Sequence, residues 1–307
     1  MKINRPLFWN QKNLISFFLY PLSLITFLIN IIKKIPNKRN FKIKSICVGN
    51  LYVGGTGKTP LAIKINSILK KKYKTVFIKK KYSDQMDEQN ILKSCGNLIC
   101  KKHRYTALKI ATKQKYDVAI LDDGLQEKSL NYNITIACFN STDGIGNGFL
   151  IPSGPLREVI SEIKNYDAVF LNGEKSNKKL SKYLKKFNNN IKLFEGKYVP
   201  TNLGSFNLKN NFLFFCGLGN PPEFERTLKK YKFKIKEKII YPDHYNFSNY
   251  DILSLKMLAK RKKLNIITTE KDYLRLNKKN RKDIKFLKIE LNIKNIKNFS
   301  KFLIDKL

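Results

Sequence analysis

The segment Tyr52-Val53-Gly54-Gly55-Thr56-Gly57-Lys58-Thr59 constrains this chain more than any other. It follows an apolar run ending Cys47-Val48-Gly49-Asn50 and precedes Pro60-Leu61-Ala62-Ile63, which reads as a helix start. Strand, glycine-rich turn, Gly-Lys-Thr and helix make the arrangement of a phosphate-binding loop. Glycines let backbone N–H groups turn inward around a polyphosphate, and the helix N-terminus adds a favourable partial charge. In that pattern Lys58 reaches the β- and γ-phosphates and the Thr59 hydroxyl sits on Mg²⁺. The strict pattern has glycine where Tyr52 stands. A turn that merely joins strand to helix is the plainer alternative, and a nucleotide site over residues 52–59 is the better reading.

The flanking pattern alternates strand and helix. Apolar runs occur at Ile43–Val48, Thr75–Ile78, Val118–Leu121, Ile134–Phe139 and Ala168–Leu171, with helical stretches at Pro60–Lys71 and Tyr105–Lys115. This reads as a mostly parallel sheet covered by helices. A second series begins near Phe212–Cys216 and continues through Pro222–Tyr231, Ile239–Tyr241, Tyr250–Arg261, Ile266–Thr268 and Phe286–Ile289. Ile191–Val199, followed by Pro200 and Gly204, reads as a hinge, and Asn172–Asn190 as an exposed, lysine-rich helix or loop. The expected fold is α/β: a phosphate-loop NTPase-type domain over 36–198, a smaller α/β domain over 199–307, and an N-terminal membrane-associated helix within 1–35.

That N-terminal expectation rests on charge. From Asn13 to Ile32 no residue is charged and most are Leu, Ile or Phe, with Lys12 before and Lys33-Lys34 after. The length suits a bilayer span, although Pro21 kinks such a helix and Ser16, Ser23, Thr26 and Asn30 dilute its hydrophobicity. Spanning, lying in the interface and packing as a core helix all remain open here; the membrane readings fit better. The chain carries 61 Lys+Arg against 23 Asp+Glu, a formal charge of +38, which favours an anionic partner. Lysine is spread along the whole length, which argues against a nucleic-acid tract and leaves an anionic membrane face as the better match. No obligate protein partner is evident. Cys47, Cys138 and Cys216 sit in strand-like runs, Cys95 and Cys100 lack zinc-ligand spacing, and all five read as reduced and structural.

Val118-Ala119-Ile120-Leu121-Asp122-Asp123-Gly124 is an apolar strand ending in acids. In phosphate-loop proteins a carboxylate at this place completes the Mg²⁺ shell, directly or through water. Asp87-Glu88 lies in a polar stretch that by itself reads as a solvated loop. Gly154-Pro155-Leu156-Arg157-Glu158 is a turn delivering an arginine, whose planar fork suits phosphate. His244 stands in Tyr241-Pro242-Asp243-His244-Tyr245, ahead of a helix that Ser248 could cap; on sequence alone a structural role is the commoner one for a lone histidine. Thr269-Glu270-Lys271-Asp272 superficially matches a guanine-reading motif, but Glu270 occupies the lysine position.

Taken in order, these segments resemble the tetraacyldisaccharide 4′-kinase family, which phosphorylates the lipid A precursor at the cytoplasmic face of the bacterial inner membrane. The likeness covers nearly the whole chain. It implies ATP and Mg²⁺ as cofactors and a tetraacylated, 1-phosphorylated disaccharide as acceptor. It further implies that Asp87 works with His244 to activate the sugar hydroxyl in a cleft closed by the second domain. Asp122 and Asp123 then lie by the metal with Thr59, Lys58 and Arg157 stabilise charge on the transferred group, and Glu88 and Glu158 lie near the active site. Two departures stand out: Ile78-Lys79-Lys80-Lys81-Tyr82-Ser83 replaces the family's Ser-Arg-Gly-Tyr, and Glu127 follows Asp122-Asp123-Gly124-Leu125-Gln126. A reading from another class is a membrane-associated nucleotide switch that regulates a protein partner.

Overall fold

The computed structural model describes residues 6–32, 38–81, 86–219, 221–243 and 245–307. They divide into two compact units, the larger drawn from residues up to 81, 92–198 and 291–307, the smaller from 86–91 and 199–290. Strands run β1 (Lys44–Gly49), β2 (Thr75–Lys80), β3 (Leu98–Lys101), β4 (Val118–Asp122), β5 (Ile134–Asn140), β6 (Ala168–Asn172), β7 (Lys192–Pro200), β8 (Asn211–Cys216), β9 (Lys234–Ile240), β10 (Asn265–Thr269), β11 (Ile284–Leu287) and β12 (Ile289–Ile293).

The larger unit is built on one sheet ordered β12-β7-β6-β5-β1-β4-β2-β3, parallel at every step from β7 to β3. Its central strands are covered on both faces, which is why β1 and β4 read as unbroken apolar runs. The Lys58–Leu69 and Ile296–Lys306 helices bury Leu61, Ile65, Phe299 and Leu303 on one face. The Arg104–Lys113 and Lys178–Lys185 helices bury Ala107, Leu108, Leu180 and Leu184 on the other. Because β1 lies between β4 and β5, strand order reverses around it, and the loop at its carboxyl end opens at a topological switch point.

Three expectations change. Residues 191–199, expected as a hinge, form most of a strand inside the sheet: β7 lies between β12 and β6 and pairs with β6 from Ala168↔Lys192 to Asn172↔Gly196, with Leu193 and Phe194 packed into opposite cores. The division between the units falls only at its end, after Tyr198. Residues 291–307 return to the larger unit, because β12 extends its sheet and Phe299 packs on Phe194 at 4.8 Å. Asp87 and Glu88 open the Met86–Cys95 helix instead of lying in a loop.

The N-terminal segment forms two short helices, Leu14–Phe18 and Tyr20–Ile32. They are inside-out. Leu14, Phe18, Ile25 and Leu28 are exposed, whereas Ser16 and Ser23 are 0 % and 3 % exposed. The core-helix alternative therefore falls. No helix among the described residues is long and apolar enough to cross a membrane. In the smaller unit a sheet ordered β11-β10-β8-β9 is parallel throughout. Ser248 caps the Asn249–Arg261 helix in a reciprocal box with Asp251, as its position suggested.

Candidate active site

The phosphate loop begins where β1 ends. Gly57 caps the Lys58–Leu69 helix in the left-handed region, φ 87°, and a Cβ there would meet the Tyr198 hydroxyl at 2.7 Å and the Asn172 amide nitrogen at 2.9 Å. Only glycine fits both constraints. Tyr52 departs from the strict motif because its side chain serves the core: the ring packs on Phe139 and the hydroxyl accepts the Asn140 N–H at 2.7 Å. Val53 donates its N–H to Pro155, which ties the loop to the segment carrying Arg157.

The acids stand directly across from the loop. Asp122, fully buried, accepts the Thr59 hydroxyl at 2.9 Å and the Lys79 ammonium at 2.7 Å on the same oxygen, Oδ2. Its Oδ1 is buried and makes no hydrogen bond within the protein. Asp123 adopts φ 61° and turns its carboxylate to Lys58 at 3.8 Å and Arg157 at 3.3 Å. Burial opposes its charge, but Lys58, Arg157, Lys79 and Arg104 outweigh that and hold the Asp123 carboxyl down at about 2. Arg157 also reaches the Asn50 side chain at 3.4 Å, and its own N–H donates to Leu51 at 2.7 Å.

Lys58, Thr59, Asp122, Asp123 and Arg157 are thus gathered at one strand end. Glu158 is not part of that group. It is buried, salt-bridged to Lys128 at 3.0 Å and accepting from the Tyr166 hydroxyl at 2.9 Å, a structural tie behind the loop. Thr56 is also buried, with its hydroxyl unpartnered.

In the smaller unit, Lys271 lies 3.5 Å from Glu88 and 3.7 Å from Asp243. One ammonium thereby joins three of the sequence motifs. His244 and the Asp87 side chain lie outside the described residues. Asp272, the last member of the Thr-Glu-Lys-Asp motif, is fully buried and accepts from Thr269, Gly217 and Arg275.

Some residues escaped sequence reasoning. Lys79 registered only as a departure, and Asn172 not at all; the latter's carboxamide lies under Gly57 with neither polar atom hydrogen-bonded in the protein. The end of β6, where a strand-end asparagine precedes Gly173, was the available signal. Nearby, Ser141, Gly173, Glu195, Gly196, Asn292 and Lys294 line a cavity of about 290 Å³.

The family model for tetraacyldisaccharide-1-P 4′-kinase matches residues 15–307. A tetraacyldisaccharide 4′-kinase of Pelagibacter ubique is 46 % identical over 99 % of this chain and 98 % of its own length. One of Rickettsia typhi is 35 % identical over 96 % of each chain. The fold is similar to the crystal structure of LpxK from Aquifex aeolicus in complex with ATP. That pair superimposes with a TM-score of 0.73 at 21 % identity, covering 95 % of this chain and 99 % of the other.

Proposed function

The chain belongs to the tetraacyldisaccharide-1-P 4′-kinase family and is an ATP-dependent lipid A 4′-kinase, and from that premise we propose how its residues divide the work. The observation that carries the proposal is the grouping of Thr59, Lys58 and Arg157 around Asp122 and Asp123 at the end of β4. ATP lays its phosphates in residues 53–59, with backbone N–H groups and Lys58 facing the β- and γ-phosphates. Tyr52 supports this loop from the core side.

The donor set suits Mg²⁺. Among the described residues no three His, Cys, Asp or Glu side chains are grouped to hold a metal by themselves. Thr59, Asp122 and Asp123 provide hard oxygens, and Asp122 Oδ1 is a buried acceptor without a donor. Magnesium is held in this way when phosphates and waters complete its shell. Bound there, it would neutralise charge on the β- and γ-oxygens. Lys79 holds Asp122 by its other oxygen and keeps the carboxylate oriented.

The acceptor 4′-hydroxyl is a weak nucleophile at neutral pH, so we assign Asp87 and His244 to take its proton. The 4′-oxygen forms the new bond to the γ-phosphorus. The bond to the β–γ bridging oxygen breaks, and ADP leaves with the electron pair. Lys58 and Arg157 stabilise charge on the transferred group. Glu88, paired with Lys271, orders the helix turn that carries Asp87. Glu158 braces the Arg157 segment through Tyr166 and Lys128.

The exposed apolar face of the N-terminal helices, on a chain of charge +38, is assigned to the anionic cytoplasmic leaflet of the inner membrane, where the acceptor lipid resides. A nucleotide switch would leave Arg157, Asp87 and His244 without a reaction, and the family does not favour it. The test is transfer of labelled γ-phosphate from ATP to tetraacyldisaccharide 1-phosphate in detergent. Lys58→Ala is expected to lose about 10³-fold in kcat per folded molecule. Asp87→Ala and His244→Ala should each lose at least about 10²-fold while still binding ATP. Full activity in these variants would overturn the assignment.

A further inference from the structure

The uncharged N-terminal segment has a second property besides its apolar surface. Its few polar residues share one helical face, and that face is turned to the protein. Ser23 donates to the Leu150 carbonyl at 2.8 Å, Thr26 to Ile151 at 2.6 Å, and Asn30 to Arg157 at 2.8 Å. From residue 21 to 30 these are the only positions not exposed. Farther back, Ser153 donates its hydroxyl to Ser16, and the Trp9 indole donates to Pro152 at 2.9 Å.

The acceptors all lie within residues 150–157 or face them. That stretch forms no helix or strand; isolated bridges at Leu150↔Leu156 and Tyr52↔Leu156 are its pairing. An irregular backbone that packs against protein must find partners for its carbonyls elsewhere. Here the helix provides them. Arg157 is therefore held from two sides: its N–H by Leu51, the residue just ahead of the phosphate loop, and its carbonyl by Asn30 of the helix.

We propose that the Tyr20–Ile32 helix is a positioning element for Arg157, with Asn30 as the residue through which it acts. The helix then couples the membrane-facing segment to the phosphate end of the active site rather than serving as a tether alone. This rests on the reading of Arg157 as a cation that acts on the transferred phosphate. A displacement of Arg157 by a fraction of an ångström lowers turnover because the group must sit where charge develops. A pure tether would change only how well the lipid is reached.

The experiment is a double-mutant cycle on the full chain, in detergent micelles holding tetraacyldisaccharide 1-phosphate, with kcat and KM measured separately. Asn30→Ala is expected to lower kcat by about tenfold with the lipid KM changed less than about twofold. Asn30→Gln, which keeps an amide donor, should recover part of that loss. Combined with Arg157→Ala, Asn30→Ala should add no more than about twofold, since both act on one interaction. Thr26→Val should lower kcat in the same direction and guards against a single variant that folds poorly. If Asn30→Ala raises KM and leaves kcat alone, or if its effect multiplies fully with that of Arg157→Ala, the coupling is wrong. If Arg157→Ala itself retains full kcat, the role of Arg157 fails, and the coupling with it.

Discussion

Among the described residues a fully buried aspartate stands at or just beyond the carboxyl end of a parallel strand twice, and the two are used differently. At the end of β4, Asp122 receives a threonine hydroxyl and a lysine on one oxygen and leaves the other bare. Just beyond β10, Asp272 receives Thr269 at 2.7 Å and the Gly217 N–H at 3.1 Å on one oxygen, and Arg275 at 2.7 Å on the other. Arg275 also closes back on the Gly217 carbonyl at 3.0 Å. Both carboxylates have a threonine and a cation, so composition does not separate them. What separates them is the unfilled acceptor. A carboxylate with donors on both oxygens is a strut between loops; one with a bare oxygen, beside a glycine-rich loop, is a place for a ligand.

The largest effect that tests this contrast is on stability. Asp272→Ala removes the carboxylate that faces the buried Arg275 guanidinium, and breaking such a pair costs about 3–5 kcal/mol. Urea unfolding should show that loss, while phosphate transfer per folded molecule stays at the wild-type level. A fall in kcat of the folded fraction would show that the β10 end also takes part in the reaction, and the contrast would break.

A smaller effect separates the two ends by pH. Asp123 is held at about 2 in the fold, below the ordinary carboxylate value, by Lys58, Arg157, Lys79 and Arg104 against the opposing burial. A depressed value means the group stabilises the fold above its unfolded pKa, and that contribution is lost as pH falls from about 4 toward 2. Its size is about 2 kcal/mol. For Asp272, burial outweighs Arg275, Thr269 and Gly217 and raises the value, so its ionisation is penalised in the fold and its contribution grows as pH falls. Asp123→Asn should therefore be less stable than wild type by about 2 kcal/mol at pH 6, with the gap closing near pH 2. A gap that is constant with pH would mean the four cations do not act through the Asp123 charge.

How much of this was readable in sequence follows from how local each feature is. Lys58, Thr59, Asp122 and Asp123 were legible because a strand, a turn and a helix start fix them within a few residues of their own backbone. Lys79 was visible only as a departure, since its partner is set by register: Ile78 lies beside Leu121 in the β2–β4 pair, which puts the next side chain against Asp122. No local pattern carries that information. The extended stretch at 191–199 was legible and the units divide at its end, but its place between β12 and β6 was not, because a strand's place in a sheet is set by what it pairs with. By contrast, Ser16, Ser23, Thr26 and Asn30 could have been read. Their spacing puts them on one face of a helix, and treating them as mere dilution of an apolar run missed the stripe.

The finest test uses one substitution at two matched positions. Thr59 and Thr269 each donate a hydroxyl to an aspartate at a strand end, at 2.9 and 2.7 Å. Changing either to valine removes one hydrogen bond to a charged group and should cost about 1–2 kcal/mol of stability. In Thr269→Val nothing further is expected: ATP affinity should be the same with and without added Mg²⁺ as in wild type. In Thr59→Val the oxygen lost is also one proposed to face the metal. Its ATP affinity in excess Mg²⁺ should fall by about tenfold or more, while affinity in EDTA stays near that of wild type. Fluorescent-nucleotide titrations under both conditions measure this directly. If the two variants lose only stability, the hydroxyl at β4 is as structural as its counterpart at β10, and the bare oxygen of Asp122 no longer marks a metal site. If Thr59→Val alone acquires the Mg²⁺-dependent defect, the same pair of residue types has been put to two uses by what surrounds it.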